Sequence, residues 1–301
     1  MEQYLVRGKL EYNFPIPATG DQHSVFPNEL PIIIGVFKID RSPNCEHYLE
    51  NLGWLDEARG RPDWQFPISF LYVETTLEVT QHKDASLISD NVFEQLEALF
   101  RLYCKGGIYI RRHEVWKIRE GSPELLITFR YHPMKPEPSR LDLHGDYPLH
   151  DELLKEFSAY YANYWDIISE RPHPLWNAIY RFSLSYEEHT DNDRLIDLMV
   201  AMEALYGDYE YHRYKIPLRC SCLLFRLGEE RKANFKLIKD IYDKRSRILH
   251  GNALSPVVSK SEIEQFEDLV RMSVHKFLDM YKDGKRISSG SELDDLLFFD
   301  I

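Results

Sequence analysis

The first 130 residues carry short apolar runs, several of which alternate with polar residues at a period of two. These runs predict five strands, over 4–12, 32–39, 68–79, 108–118 and 125–131. One segment differs, because apolar residues recur there at helical spacing and a glycine pair follows: Val92, Leu96, Leu99, Phe100 and Tyr103, then Gly106-Gly107. We therefore predict a β-rich region interrupted by one helix over 89–103.

The pattern becomes helical after a proline-rich stretch over 132–140. Helices are predicted over 149–169, 174–189, 193–206, 216–227, 230–250 and 260–282. Gly207 is a typical helix end, and Ser259-Lys-Ser-Glu262 is a capping box that begins the last of these helices. The fold class is thus predicted as α+β, with a β-rich α+β domain over 1–145, a boundary near Asp146, and an all-α helical bundle over 146–287.

The last segment, 288–301, reads as a flexible Ser/Gly stretch followed by an acidic and apolar tail. Such a tail packs either on a partner or on the chain's own surface, and we expect the latter.

Composition is that of an ordinary globular protein: of 301 residues, 44% are hydrophobic and 29% are charged. This excludes a collagen-like, low-complexity or wholly disordered chain. Four cysteines are too few for a disulfide framework, and Cys220-x-Cys222 lacks the gap of a zinc site. The chain shows neither the apolar segment of a signal peptide nor a membrane-spanning run, so we expect a cytoplasmic protein without membrane contact.

The net charge of −12 argues against a nucleic-acid partner, but its distribution is uneven. Residues 211–250 contain eleven Lys and Arg against four Asp and Glu, a local charge of +7 that leaves −19 on the rest of the chain. We call this segment the basic island. It makes a phosphate-bearing partner plausible, with Lys239, Lys244 and Arg247 as candidate RNA contacts, although solvated side chains on two helix surfaces would give the same pattern.

Arg245 and His250 are the notable residues at the end of this island. Arg245 falls on the apolar stripe of its predicted helix, where a guanidinium needs a partner. His250 takes a C-cap-like position before Gly251, where the helix dipole favours a protonated imidazole. On an ideal helix the two residues lie about 140° apart in azimuth and about 7.5 Å apart along the axis. To act together they need a bend or a neighbouring chain.

Three blocks in this half of the chain carry a resemblance: Asp193-Arg-Leu-Ile-Asp-Leu-Met-Val-Ala-Met-Glu203-Ala-Leu-Tyr-Gly207, Tyr214-Lys-Ile-Pro-Leu-Arg219-Cys-Ser-Cys-Leu-Leu224 and Ile241-Tyr-Asp-Lys-Arg-Ser-Arg-Ile-Leu-His-Gly251. In this order they resemble the ApeA-like branch of the HEPN superfamily (higher eukaryotes and prokaryotes nucleotide-binding), and Arg245-x4-His250 resembles its R-x4-6-H motif. The likeness covers about 147–285.

The resemblance implies a metal-independent endoribonuclease, without cofactor, in which two protomers of a homodimer bring their Arg245 and His250 together. His250 would move protons while Arg245 holds the phosphate that the 2′-hydroxyl attacks. It further implies cleavage of RNA, plausibly tRNA, in anti-phage defence by abortive infection. The first domain would then be a sensor for a phage-derived trigger.

Three further residues are expected to support the site. Glu203 lies on the buried face of its helix, and Arg219 is the first candidate for its ion-pair partner. Ser246 shares a face with His250 and could hydrogen-bond it. Ser246 also stands where many HEPN proteins carry a larger polar residue, a departure that bears on catalytic strength.

A second interpretation remains open: a non-catalytic HEPN dimer that binds a nucleotide, RNA or a partner protein, with Arg245 in a structural or ligand-clamping role. No metal is expected, because His144, Asp146, His150 and Asp151 read as linker and helix-capping residues. For the first domain, Trp54, Trp64, Tyr72 and Trp116 form either a core or a recognition surface.

Overall fold

The computed structural model of the chain describes residues 2–12, 31–41, 71–79, 82–119, 122–129, 144–208, 210–250 and 258–298. Contacts between these residues divide the chain into two units, Met1–Ala162 and Asn163–Ile301. The sequence places the change from strands to helices near Asp146, whereas the contacts place the division inside the first helix that follows.

The first unit is built on an antiparallel sheet, which has six strands within the described ranges. They are β1 (Glu2–Tyr12), β2 (Ile32–Ile34), β3 (Phe37–Arg41), β4 (Leu71–Val79), β5 (Ile108–Arg119) and β6 (Ser122–Phe129), in the spatial order β2-β3-β4-β1-β5-β6. The central strand β1 pairs with β4 from Glu2↔Val79 to Leu10↔Leu71. Its pairing with β5 shifts register between Gly8 and Lys9.

One helix, α1 (His82–Tyr103), packs on strands β1, β4 and β5. Alternate strand residues such as Val6, Val73 and Val115 are buried, as are Leu96 and Phe100 of α1. This is the result expected for strands of period two covered on one face by an amphipathic helix. Trp54 and Trp64 lie outside the described residues, as does the side chain of Trp116, whereas Tyr72 is buried beneath the Arg7 guanidinium.

The helix that follows, α2 (Asp151–Ser169), belongs to the first unit as far as Ala162. Phe157 stacks on Phe100 with the ring centroids 3.9 Å apart, and Tyr161 meets Phe37 edge-on at 6.0 Å. These aromatic contacts extend the core of the sheet unit past the sequence boundary, because the apolar face of a helix packs wherever apolar surface is available.

The regular elements of the second unit are all helices within the described residues. After the remainder of α2 come α3 (Leu175–Leu184), α4 (Asp191–Tyr206), α5 (His212–Leu224), α6 (Glu229–Leu249), α7 (Lys260–Lys282) and α8 (Gly290–Phe298). The α+β prediction, with a β-rich first part and a helical second part, is confirmed. Among the described helices of the chain, none combines the length and apolarity required to cross a membrane.

Helix α4 is the centre of the helical unit and contacts α3, α5, α6, α7 and α8. It is buried on most sides, as expected for a helix surrounded by others: Leu195, Leu198 and Met202 are fully buried, and the charged Arg194 and Asp197 are buried as well. Thr190 caps its start by accepting a hydrogen bond from the Asp193 amide at 3.1 Å, and Gly207 is its C-cap. The predicted capping box at Ser259 and Glu262 is present at the start of α7.

The single strand predicted over 32–39 is wrong: it is the hairpin of β2 and β3, and Gly35, with φ 56°, turns the chain between them. The predicted helix over 89–103 begins earlier, at His82.

Two further helix predictions differ from the structure. Helix α5 begins at His212 rather than near 216, because Pro217 lies inside the helix instead of marking its start. Helix α3 ends at Leu184 rather than near 189, since the Ser185 hydroxyl bonds back to the Phe182 carbonyl and the chain turns there.

The tail packs on the chain's own surface, as expected: the acidic segment forms α8, which contacts α5 and α4 and buries Leu293. The Ser/Gly stretch is not the flexible segment predicted, because Ser288 and Ser289 hydrogen-bond Glu292 in the first turn of α8.

Candidate functional site

Helix α6 carries most of the basic island and positions both Arg245 and His250. Ile238 and Ile241 are fully buried on its inner face and fix the rotation of the helix against the bundle. Arg245 follows on the same side, and His250 is the C-cap.

The Arg245 side chain is half-buried, and its hydrogen-bond donors are poorly matched by acceptors. Its side chain is 22% exposed, and its one ion pair joins Nη2 to Glu203 Oε2 of α4 at a long 3.5 Å. Its Nε is buried and has no hydrogen-bond partner among the described residues. A buried donor without a partner normally costs about 1–3 kcal/mol. Because the Nε is shielded from solvent, an anion such as a phosphate would meet the exposed part of the guanidinium, which is held only by the long Glu203 contact.

The expected pairing of Glu203 with Arg219 is wrong. Glu203 contacts Arg245 instead, and its side chain is 20% exposed rather than buried. Arg219 is 1% exposed and binds Asp294 of α8 through Nε and Nη2, both at 2.7 Å. It also donates to the Tyr206 carbonyl at 2.8 Å. The C-terminal helix α8 supplies this partner, and only the fold brings that helix against α5.

His250 lies on the solvent side of the helix end. Its backbone N–H donates to the Ser246 carbonyl at 3.1 Å, so the hydrogen bond between these two residues is a backbone one. The imidazole is exposed, and no contact between it and Arg245 is found within the described chain. One protomer therefore leaves the two motif residues apart, as their spacing predicts. Gly251 lies outside the described residues.

The three candidate RNA contacts differ in accessibility. Lys244 is turned inward, where its Nζ donates to Glu262 Oε1 at the start of α7. This hydrogen bond, together with those from Ser259, lowers the pKa of Glu262 to about 2. Lys239 and Arg247 lie on the outer side of α6, on either side of Asp243. Lys244 is thus a poorer candidate for RNA contact than the other two.

Contacts within the helical unit reduce the charge of the basic island. Asp208, Asp294, Glu262 and Glu203, all from outside residues 211–250, pair with cations of the island. Four of its seven surplus positive charges are therefore matched, which leaves about three for the surface.

Three residues at the start of α5 were not among the candidate site residues predicted from the sequence. Tyr211 and Tyr214 are exposed, and Arg213 binds both carboxylate oxygens of Asp243 on α6 at 2.6 and 2.7 Å. The signal was the alternation of tyrosine and basic residues in Tyr209-Glu-Tyr-His-Arg-Tyr-Lys215.

The described residues contain no group of three or more His, Cys, Asp and Glu side chains that could hold a metal ion. His150 instead accepts a hydrogen bond from the Leu153 amide at 3.2 Å, which is a helix-capping role at the start of α2.

Comparisons with known proteins returned no matching family model, no matching curated protein and no matching solved structure.

Proposed function

We propose that this protein is a metal-independent endoribonuclease of the HEPN type. The observation that carries the proposal is the state of Arg245, a half-buried guanidinium with one long ion pair and a buried Nε that lacks a described partner. Arg181 and Arg194 also have a buried Nε without a described partner, but their ion pairs measure 2.9–3.0 Å. Arg245 differs from them because its one ion pair is long, at 3.5 Å. This weakly paired guanidinium lies on the last turns of the helix that ends in the exposed His250.

The chemistry needs only these two residue types. The 2′-hydroxyl of a nucleotide attacks the adjacent phosphorus, the P–O5′ bond breaks, and a 2′,3′-cyclic phosphate and a 5′-hydroxyl form. Imidazole groups take the 2′-hydroxyl proton and return a proton to the leaving 5′-oxygen. The guanidinium binds the non-bridging oxygens, where negative charge develops.

A homodimer is part of the proposal, because Arg245 and His250 of one chain point to different sides of α6. Two facing helices could place the arginine of one protomer beside the histidine of the other. Cleavage of tRNA, a role in anti-phage defence and a trigger-sensing first domain are further parts of the proposal and rest on the resemblance to ApeA-like HEPN proteins.

The test is cleavage of end-labelled RNA by the purified chain in the presence of a chelator. We expect His250→Ala and Arg245→Ala each to lower the rate at least about 100-fold, the usual scale for a general acid or base and a charge-stabilising donor. Arg286→Ala is the matched control, because Arg286 is an exposed arginine of the same unit that lies outside the basic island. RNA with 2′-deoxy substitutions should not be cleaved.

Absence of cleavage by the unaltered protein, or equal rates in the two motif variants and the unaltered protein, would contradict the proposal. The Arg245–Glu203 ion pair favours the second candidate, a non-catalytic dimer that binds RNA, a nucleotide or a protein. In that case Arg245→Ala would lower the melting temperature while His250→Ala changed nothing.

A further inference from the structure

Two exposed tyrosines lie beside the outer face of α6. Tyr211 is 73% exposed and Tyr214 is 57% exposed. Tyr214 meets Phe235 of α6 edge-on with centroids 5.7 Å apart, so the first turn of α5 is held against α6. Large aromatic surfaces left in water side by side are unusual unless a ligand covers them.

Tyr211 also has a strained backbone. It is the N-cap of α5 with φ 64° and ψ 31°, the left-handed region that bulky residues rarely occupy, and its side chain makes no capping hydrogen bond. Asparagine, aspartate or glycine would fill this position at lower cost. The Tyr211 carbonyl accepts hydrogen bonds from the Tyr214 and Lys215 amides, both at 2.9 Å, so the backbone begins the helix. These bonds do not require a tyrosine, which points to a use of the exposed side chain itself.

Cations lie on the same two helices, around Asp243 of α6. Arg213 of α5 and Lys239 and Arg247 of α6 all lie close enough to Asp243 to lower the pKa of that carboxyl, with the Arg213 hydrogen bonds the largest cause. Lys236, one turn before Lys239, is exposed and has no acidic partner among the described residues. We call Tyr211, Arg213, Tyr214, Lys236, Lys239 and Arg247 the aromatic–basic surface.

We propose that the aromatic–basic surface binds single-stranded RNA, with bases stacked on the two tyrosines and phosphates held by the cations. Stacking platforms beside a positively charged track are the usual means of binding unpaired strands, whereas a duplex keeps its bases inside. A lysine-bearing surface also fits a polyanion better than a protein interface, whose centre is depleted in lysine.

This inference rests on the proposed function and names its substrate class. His250 lies on the same face of α6 as Lys236 and Lys239, about 21 Å along the helix axis from Lys236. A strand bound along this face would therefore bring a phosphodiester to the imidazole.

The test is fluorescence anisotropy with a labelled, uncleavable 2′-O-methyl oligoribonucleotide, offered as a single strand and as a duplex. We expect binding of the single strand only, weakened by added salt. Tyr211→Ala and Tyr214→Ala should each weaken it about tenfold, and Tyr214→Phe should not. Leu227→Ala is the matched control, because Leu227 is 88% exposed beyond the other end of α5 and lacks an aromatic ring.

A second variant separates binding from folding. Tyr211→Gly relieves the left-handed strain, so it should leave the melting temperature unchanged or raised while it weakens binding as Tyr211→Ala does. Unchanged binding in the double tyrosine variant, equal binding of the duplex, or loss of a dimer on these substitutions would overturn the inference. If the tyrosine variants lose binding to the oligoribonucleotide but still cleave RNA, the nuclease proposal stands and the role of this surface in supplying the substrate is wrong. If the unaltered protein binds the strand but cleaves no RNA, the nuclease proposal is wrong and the binding surface stands.

Discussion

Two arginines of the helical unit, Arg219 and Arg245, differ in how fully their hydrogen-bond donors are paired. Arg219 is fully buried, and its donors reach Asp294, Asp208 and the Tyr206 carbonyl. Arg245 has one contact at 3.5 Å and a buried Nε without a described partner. The sequence identified both residues, yet assigned Glu203 to the wrong one, because partners on other helices depend on how those helices pack.

Because of this difference in pairing, we expect the two arginine-to-alanine variants to lose different amounts of folding stability. Arg219→Ala should lower the free energy of unfolding by about 3 kcal/mol or more, since it leaves carboxylates and a carbonyl without their buried partner. Arg245→Ala should cost about 1 kcal/mol or less, because its ion pair is long and partly exposed. Urea denaturation followed by circular dichroism measures both. Equal losses would mean that Arg245 is as much a structural residue as Arg219.

At the scale of elements, one carboxylate joins two helices. Glu262 completes the capping box of α7 with Ser259 and accepts a hydrogen bond from Lys244 near the end of α6. The capping box was readable from four consecutive residues, because it is a local structure. The hydrogen bond from Lys244 to Glu262 could not be predicted from the sequence, because the two residues lie eighteen positions apart in the chain.

This contact predicts a pH dependence. The folded pKa of Glu262, about 2, lies below the ordinary 4.5, so its stabilising effect is complete above about pH 5 and is lost as the pH falls towards 2. Glu262→Gln should therefore destabilise the protein by about 1 kcal/mol at pH 7 and by less at pH 3. Denaturation at the two pH values tests this. Glu264→Gln, an exposed neighbour on the same helix, should show no such difference.

At the scale of the whole molecule, the question is whether one chain contains a complete site. The periodicity of α6 sets Arg245 and His250 about 140° apart, and the structure puts the first beside α4 and the second in solvent. A symmetric dimer would resolve this separation by pairing residues from two chains.

Mixed dimers give a direct test. When Arg245→Ala and His250→Ala chains are co-expressed with different tags, one of the two sites in each mixed dimer should contain an intact arginine and histidine. Activity should then return to about a quarter of the unaltered level, because about half of the dimers are mixed. Co-expression of two His250→Ala chains is the inactive control. Mixed dimers that form but do not cleave RNA would place the site within one chain.

The sequence alone determined the features that depend on neighbouring residues. Period-two and helical patterns predicted most strands and helices, although one strand was predicted where the structure has the β2–β3 hairpin. Local signals predicted the caps at Gly207 and Ser259, and charge counting located the basic island. These features are readable because turns, caps and amphipathic faces are built from residues a few positions apart.

The tertiary structure decided which distant groups meet. In the folded chain Arg219 binds Asp294 of α8, and Lys244 binds Glu262. Tyr211 and Tyr214 remain exposed at the start of α5. The tertiary structure also moved the division between the units into α2, where Phe157 and Tyr161 complete the core of the sheet unit. The physical reason is that burial and ion pairing depend on packing between elements, which residue order alone does not specify.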